Sequence, residues 1–297
     1  MYQFTFTEEK MKRITEIISA AKPSLSFEVF PPKKWDNYES VLHNATEIAN
    51  LSPSFMSVTY GAGGGTSDYT ADICSKISAL GVPSIAHLSC ISSTRERVRE
   101  MLDKLSSLGI KNILALRGDI PEGLDTSSLE YRHASDLVRE IKEYGGFTVG
   151  GACYPEGHPE AESIERDIEA LKIKVDSGCE FLTTQMFFDN NILYNFMYRL
   201  LRRGVDVPVI AGIMPVTDAR QIKRIMSISG GALPQRFIRL VDRYGDKPEA
   251  MMQAGIAYAT EQIIDLYANG VNAVHVYSMN KPTVARKIQE NLSEILK

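Results

Sequence analysis

Two carboxylates in this sequence lie in or next to apolar stretches, where burying a charged group costs free energy. A carboxylate at such a position is a candidate functional residue. Glu28 lies inside the apolar stretch of residues 25–30, and Asp119 follows the apolar run of residues 113–116, with Arg117 two positions before it. Partial burial would raise the pKa of Glu28 and suit it to proton delivery, whereas Asp119 beside a cation would stay ionised. Two carboxylates in different environments predict an acid and an electrostatic stabiliser in one active site.

Two other readings of this carboxylate pair are open. Glycosidases also use two carboxylates, but sugar sites usually expose several aromatic platforms, and this chain has one tryptophan, Trp35. A non-catalytic subunit is the second alternative, and the presence of both Glu28 and Asp119 argues against it. The pair therefore favours an enzyme that is not a glycosidase.

Three further motifs could contact a ligand. The glycine-rich loop of residues 61–65 lacks the last glycine of a dinucleotide fingerprint and the lysine of a P-loop, so it is either a plain turn or a loop that admits a ring or ribityl chain. Residues 154–159 precede a predicted helix and suit an anion such as pyrophosphate, or form an ordinary proline-rich loop. Asp167 and Lys174 share a face of that helix and form either structural ion pairs or nucleotide contacts.

Apolar runs alternate with helical patterns along the whole chain. Strands are predicted at residues 25–30, 55–60, 84–89, 112–118, 148–154, 181–187, 207–214 and 273–278. Helices are predicted at residues 7–20, 37–51, 66–80, 94–108, 134–144, 159–177, 191–203, 218–229, 234–243, 248–268 and 282–296. Eight strand–helix units at this length favour an α/β fold, a (β/α)8 TIM barrel with an extra N-terminal helix and additional helices after strand seven, over an open Rossmann-like sheet.

Catalytic residues of such a barrel come from the C-terminal ends of its strands. Nearly every predicted strand except the seventh delivers a polar group to that end. These groups are Glu28, Thr59, Tyr60, His87, Arg117, Asp119, Tyr154, Gln185 and residues 277–281. The alternation of elements therefore gathers the chemically capable side chains at one face of the predicted barrel.

The composition narrows the class of partner and compartment. The net charge of −4 comes without a compensating basic tract, which argues against nucleic acid as a partner. No apolar run reaches the length of a membrane span, and residues 1–21 do not resemble a signal peptide, so a cytoplasmic protein without a membrane anchor is expected. Four cysteines and five histidines are scattered without metal-ligand spacing, so no metal is expected.

Six motifs resemble the 5,10-methylenetetrahydrofolate reductases, in order and at predicted strand ends. They are residues 26–32, 57–62, 115–119, 154–160, 184–189 and 212–216. The resemblance runs from about residue 25 to residue 290. Over this range the chain is similar to the short bacterial form of these enzymes. This similarity implies one catalytic domain over residues 1–297, without the C-terminal regulatory domain that binds S-adenosylmethionine in eukaryotic members.

The resemblance implies a flavoprotein oxidoreductase of one-carbon metabolism and methionine synthesis that acts on a CH–NH group. Reduced flavin, FAD with FMN as the alternative, would pass a hydride from N5 to methylenetetrahydrofolate and give 5-methyltetrahydrofolate, with NADH or NADPH as reductant. Glu28 matches the residue that protonates folate N10, and Asp119 matches the one that stabilises developing positive charge. Further matches to substrate-binding positions are Gln185, Gln221 and Lys281. Matches to flavin-binding positions are Thr59, Tyr60, Ala62, His87, Arg117, Gly118, Asp119, Ala134, Tyr154, His158, Asp167 and Lys174.

Three departures from the family pattern bear on the electron donor and the nucleotide part of the flavin. Ile225 stands where NADH-using bacterial enzymes have a stacking Phe, and Lys281 replaces an Arg. Ala170 and Ile173 replace polar residues. The alternative donor is therefore a partner flavoprotein, an iron–sulfur protein or ferredoxin, as in acetogenic relatives. A homo-oligomer, or a complex with a small iron–sulfur subunit, would be the assembly.

Overall fold

Eight parallel strands close into a barrel in the computed structural model, which describes residues 12–32, 35–60, 67–120, 129–222 and 233–297 together with residues 123, 125 and 225. The strands are β1 Ser24–Val29, β2 Met56–Val58, β3 Ser84–Ser89, β4 Asn112–Leu116, β5 Thr148–Cys153, β6 Phe181–Thr184, β7 Val209–Ile213 and β8 Ala273–Tyr277. Each strand pairs with its sequence neighbour, and β8 pairs with β1. The predicted TIM barrel is confirmed, and the open sheet is wrong.

Helices follow the strands as predicted, with shorter ends. In the described residues they are α1 Ile14–Ile18, α2 Tyr38–Ala49, α3 Ser67–Ala79, α4 Arg95–Ser107, α5 Ala134–Tyr144, α6 Ile164–Asp176, α7 Asn190–Arg202, α8 Gln235–Tyr244, α9 Pro248–Ala268 and α10 Pro282–Asn291. The predicted first helix began at residue 7, but residues 1–11 lie outside the described part. Of the helix predicted at residues 218–229, the structure describes the 3-10 turn Ala219–Gln221 and residues 222 and 225, which are helical.

Two apolar layers hold the barrel. The larger one lies between the strands and the surrounding helices. The smaller one fills the barrel interior, where Phe55, Ile85 and Leu114 pack with Ile14 and Ile18 of α1. Helix α1 therefore covers the N-terminal end of the barrel, and its first backbone N–H donates to Asn112 Oδ1 at 2.9 Å.

The strand register sets which side chains share a level in the barrel. Glu28 on β1 pairs with Ser57 on β2 and with Tyr277 on β8, while Ser26 pairs with His275 one level deeper. Alternate residues of a strand point to the same side, so Ser26 and Glu28 face the same way. These polar residues therefore form two successive levels inside an otherwise apolar barrel.

Candidate active site

A cavity of about 460 Å³ opens at the C-terminal ends of the strands and extends into the barrel interior. Its described lining residues are Glu28, Phe55, Ser57, Thr59, Tyr60, Ile85, His87, Leu114, Leu116, Ala152, Tyr154, Thr183, Thr184, Gln185, Met186, Met214, Gln221, Ile225, His275, Tyr277 and Met279. An apolar wall with a few convergent polar groups is typical of a small-molecule site. The gathering of polar strand ends at this face is the arrangement that the sequence predicts.

Glu28 is the one carboxylate among the described residues that line this cavity. Its side chain is 20% exposed, and burial raises its pKa to about 8. The nearest ionisable partner is His87, whose Nε2 lies 3.8 Å from Glu28 Oε2, and burial lowers the pKa of His87 to about 3. Both groups are therefore uncharged at neutral pH, and Glu28 carries a proton that it can donate.

A hydrogen-bonded chain across three strands joins the level of Glu28 to the level below it. His275 Nδ1 lies 2.8 Å from Ser26 Oγ, and His275 Nε2 lies 2.8 Å from Ser57 Oγ. Above them the Tyr277 hydroxyl donates to the carbonyl oxygen of Thr184 on β6. The inward polar side chains therefore have protein partners on neighbouring strands.

Asp119 and Arg117 lie outside the lining of this cavity. Arg117 makes a two-pronged ion pair, its two terminal nitrogens donating to the Glu160 carboxylate at 2.6 and 2.8 Å. Gly118 adopts a positive φ of 89°, which turns the chain after β4 and leaves Asp119 exposed. Burial raises the pKa of Tyr154, and the negative charge of Asp119 adds to that effect.

The residues of the loop after β5 hold one another. The Tyr154 and His158 rings meet edge to face at 4.6 Å between centroids. The backbone N–H of His158 donates to Asp167 Oδ2 at 3.1 Å, and Lys174 Nζ donates to the Ala152 carbonyl at 2.6 Å. Asp167 and Lys174 thus share a helix face, as predicted, and both bind backbone in this structure.

The three residues that match substrate-binding positions of the family differ in whether they line the cavity. Gln185 and Gln221 line the cavity, whereas Lys281 does not and donates from Nζ to Thr217 Oγ1 at 2.9 Å. Gln185 Oε1 accepts from the backbone N–H of Met186 at 2.9 Å. Gln221 Oε1 is buried without a hydrogen-bond partner. A buried acceptor without a donor is costly, so Gln221 is suited to a ligand that brings an N–H group.

The remaining predicted positions differ in whether they line the described cavity. Thr59, Tyr60 and His87 line the cavity. Ala134 is the first residue of α5 and does not line it. Ala62 and the glycine-rich loop lie outside the described residues.

The residues present fit a planar heteroaromatic ring system. Leu116, Met186 and Ile225 provide apolar surface, and the unpartnered Gln221 Oε1 provides an acceptor at one edge. Both a flavin and a pterin carry ring N–H groups that such an acceptor can bind. The donor set is therefore compatible with either ring.

Sequence reasoning did not single out His275 or Ser57. Both lie inside short strands, whereas the predicted catalytic positions of a barrel lie at strand ends. The available signal was polarity: Ser26, Ser57 and His275 interrupt runs that are otherwise apolar. A buried polar side chain needs a partner, so three such interruptions predict that they meet.

In the residues that the structure describes, no group of three or more His, Cys, Asp or Glu side chains is placed to hold a metal ion. No helix in the same part of the chain is long and apolar enough to cross a membrane. All four cysteines are buried and free.

Fold and cavity together define the class: a (β/α)8 barrel with its ligand site at the C-terminal ends of the strands, as in barrel enzymes. The family model of methylenetetrahydrofolate reductase matches residues 13–293. The chain belongs to this family and is one of its oxidoreductases.

Two relatives illustrate how much of the family protein the chain spans. It is 34% identical over 270 residues to 5,10-methylenetetrahydrofolate reductase of Escherichia coli K12, covering 91% of this chain and 90% of that protein. It is 33% identical over 304 residues to methylenetetrahydrofolate reductase (NADH) 1 of Arabidopsis thaliana, covering 97% of this chain and 50% of that protein. The chain thus spans half the length of the plant relative.

A solved structure supports the same architecture. An uncharacterized protein from Clostridium thermocellum that binds two copies of 5-methyl-5,6,7,8-tetrahydrofolic acid superposes with a TM-score of 0.65 at 14% sequence identity. The match covers 96% of this chain and 99% of that one. At this identity the likeness establishes the fold.

Proposed function

We propose that this protein reduces 5,10-methylenetetrahydrofolate to 5-methyltetrahydrofolate with a bound flavin. One observation carries the proposal: in a chain of the methylenetetrahydrofolate reductase family, Glu28 stands in the mouth cavity with a carboxyl whose pKa burial raises to about 8. A proton held there at neutral pH is what opening of the imidazolidine ring at folate N10 requires.

Each residue then has a defined task. The Glu28 carboxyl donates its proton to N10, and the carboxylate it leaves behind faces the cation that forms on the substrate. Gln185 and Gln221 orient the pterin ring through their amides, and Asp119 and Lys281 complete the substrate contacts. The apolar wall of the cavity excludes water from the reacting carbon. When bound, the flavin, FAD or alternatively FMN, supplies the hydride.

The flavin would lie against the strand ends and the loops that follow them. The proposed contacts are Thr59, Tyr60, Ala62, His87, Arg117, Gly118, Asp119, Ala134, Tyr154, His158, Asp167 and Lys174. Several of these groups have protein partners in this structure: Arg117 binds Glu160, and Lys174 donates to the Ala152 carbonyl.

The electron donor has two candidates, NADH and a redox partner protein. Ile225 supports the second, because it is 3% exposed in an apolar cluster with Met186 and Met214 and offers no aromatic surface for a nicotinamide. NADH is favoured by the name of the Arabidopsis relative, methylenetetrahydrofolate reductase (NADH) 1.

The absorption spectrum of the purified protein tests the proposal. We expect a yellow protein whose released flavin chromatographs as FAD, and whose flavin absorbance is lost when NADH is mixed with it anaerobically and restored by methylenetetrahydrofolate. If the flavin is reduced only by a ferredoxin-type donor, a partner protein and not NADH supplies the electrons. A colourless protein that neither binds FAD nor FMN would contradict the proposal.

A further inference from the structure

The turn that follows β8 has a backbone conformation that does not suit one of its residues. The backbone N–H of Lys281 donates to the Ser278 carbonyl at 3.1 Å and closes a four-residue turn. Its two central residues, Met279 and Asn280, have φ angles of 55° and 53°. Positive φ at both central positions is the mark of a type I′ turn, where Gly, Asn and Asp are usual. Because Met279 does not fit that preference, contacts from outside the turn are needed to hold it there.

The side chain of Asn280 supplies such contacts. Its Oδ1 accepts from the backbone N–H of Phe30 at 2.9 Å, and its Nδ2 donates to the carbonyl of the same residue at 2.8 Å. Asn280 is 9% exposed, so both bonds are shielded from water. The amide offers one acceptor and one donor to Phe30, as the backbone of a neighbouring strand would.

These bonds extend the pairing of β1 with β8 beyond the ends of both strands. The last pair in the strand register is Glu28 with Tyr277. Beyond that pair the Ser278 hydroxyl donates to the Glu28 carbonyl at 2.8 Å, and the Asn280 amide pairs with Phe30. The turn after β8 is therefore fixed to β1 at the proposed proton donor and again two residues later.

The same turn carries two residues of the site. Met279 lines the cavity, and Lys281, a proposed substrate contact, donates from Nζ to Thr217 Oγ1 at 2.9 Å. Asn280 lies between them in the sequence. Because its amide fixes the turn to the strand that carries Glu28, it also sets where Met279 and Lys281 lie relative to that residue.

We propose that Asn280 is a positioning residue for the folate site: its amide anchors the turn after β8 to the end of β1 and so holds Met279 and Lys281 in place. The inference rests on the proposed function in naming the folate as the ligand. Asn280 does not line the described cavity, so its effect on a ligand acts through its two neighbours. The anchor is a property of the protein alone and can be measured without turnover.

Two substitutions at position 280 separate the anchor from the shape of the turn. Asn280→Gly accepts a positive φ and removes both bonds to Phe30, whereas Asn280→Asp keeps the acceptor for the Phe30 N–H and loses the donor. Amide hydrogen exchange on the full chain reports the anchor directly. We expect the Phe30 amide to exchange about tenfold faster in Asn280→Gly and at about the wild-type rate in Asn280→Asp.

Folate affinity should follow the anchor. A turn that is in place for only part of the time lowers the apparent affinity by that fraction, so the Kd of 5-methyltetrahydrofolate for the flavin-loaded protein should rise about tenfold in Asn280→Gly. Asn280→Asp keeps one of the two bonds, and the Kd should rise about threefold. The KM for methylenetetrahydrofolate should rise in parallel while kcat stays within about twofold, because Ser278 still holds the Glu28 carbonyl.

Asn190→Ala is the matched control for a general loss of stability. Asn190 is also 9% exposed, and its Nδ2 donates to the Gln262 carbonyl at 3.0 Å, but it does not line the described cavity. This variant loses a buried amide contact as Asn280→Gly does. Its melting temperature should fall, and its Kd for 5-methyltetrahydrofolate should equal that of the wild type.

Four results would each overturn the inference. They are an unchanged exchange rate of the Phe30 amide in Asn280→Gly, an unchanged Kd in that variant, an equal rise of the Kd in Asn280→Asp, or an equal rise in Asn190→Ala. If exchange and binding behave as expected and the wild type does not reduce methylenetetrahydrofolate, the positioning role of Asn280 stands and the proposed function fails.

Discussion

Replacement of Glu28 by Gln is expected to abolish folate reduction while leaving flavin reduction nearly intact. The amide keeps the shape of the carboxyl and cannot give up a proton, so the rate of the folate half-reaction should fall by about 10²–10⁴-fold. Reduction of the flavin requires no proton from this side chain. Stopped-flow absorbance of the two half-reactions, each measured anaerobically, separates the two effects.

Glu156→Gln is the matched control for this experiment. Glu156 is a second partly buried carboxyl, in the loop after β5, and burial also raises its pKa. Glu156 does not line the described cavity, so the Glu156→Gln variant should reduce the folate at the wild-type rate. Equal losses in both half-reactions of Glu28→Gln would refute the role of proton donor and indicate a damaged flavin site instead.

Gly118→Ala is expected to destabilise the fold by about 2–4 kcal/mol, a large effect for a single methyl group. Gly118 has a φ of 89°, which an L side chain rarely adopts. A Cβ there would also overlap Ser89 Oγ, which donates to the Arg117 carbonyl at 2.9 Å and cannot move without losing that bond. Chemical denaturation in urea gives the free energy of unfolding.

Gly81→Ala separates the two causes. Gly81 has a similar φ of 84°, and a Cβ there would meet nothing within 4 Å. This variant should therefore lose only the backbone term, about 1 kcal/mol. A Gly118→Ala protein as stable as Gly81→Ala would show that the contact with Ser89 is relieved at no cost, and that this turn does not fix the position of Asp119.

The local features of the chain could be predicted from its sequence because their causes are local. Apolar runs and helical spacing predict the strands and helices. Glu28 is recognisable as a candidate site residue because its neighbours in the sequence are apolar. The partners of the site residues depend on contacts between distant segments. Arg117 pairs with Glu160, and Lys281 donates to Thr217, although each had several possible partners by type.

The same limit explains why the interior polar level was missed. Ser26, Ser57 and His275 are separated by up to 249 residues and meet only because the barrel closes β8 on β1. Strand register places Ser26 beside His275 and Ser57 one level above them, beside Glu28. Asp119, the second carboxylate of the predicted site, is exposed after the turn at Gly118 and does not line the described cavity.

The pH dependence of the folate half-reaction tests the central claim, that Glu28 stores the donated proton. The protonated carboxyl is the active form. The rate of the folate half-reaction is therefore maximal below the pKa of Glu28 and falls as the pH rises through that pKa. Prereduced wild-type enzyme mixed with methylenetetrahydrofolate should therefore reoxidise at a constant rate up to about pH 7 and tenfold more slowly per unit above about pH 8. A rate that is already falling between pH 4.5 and 6, as for an ordinary glutamate, or that shows no alkaline limb would contradict the account.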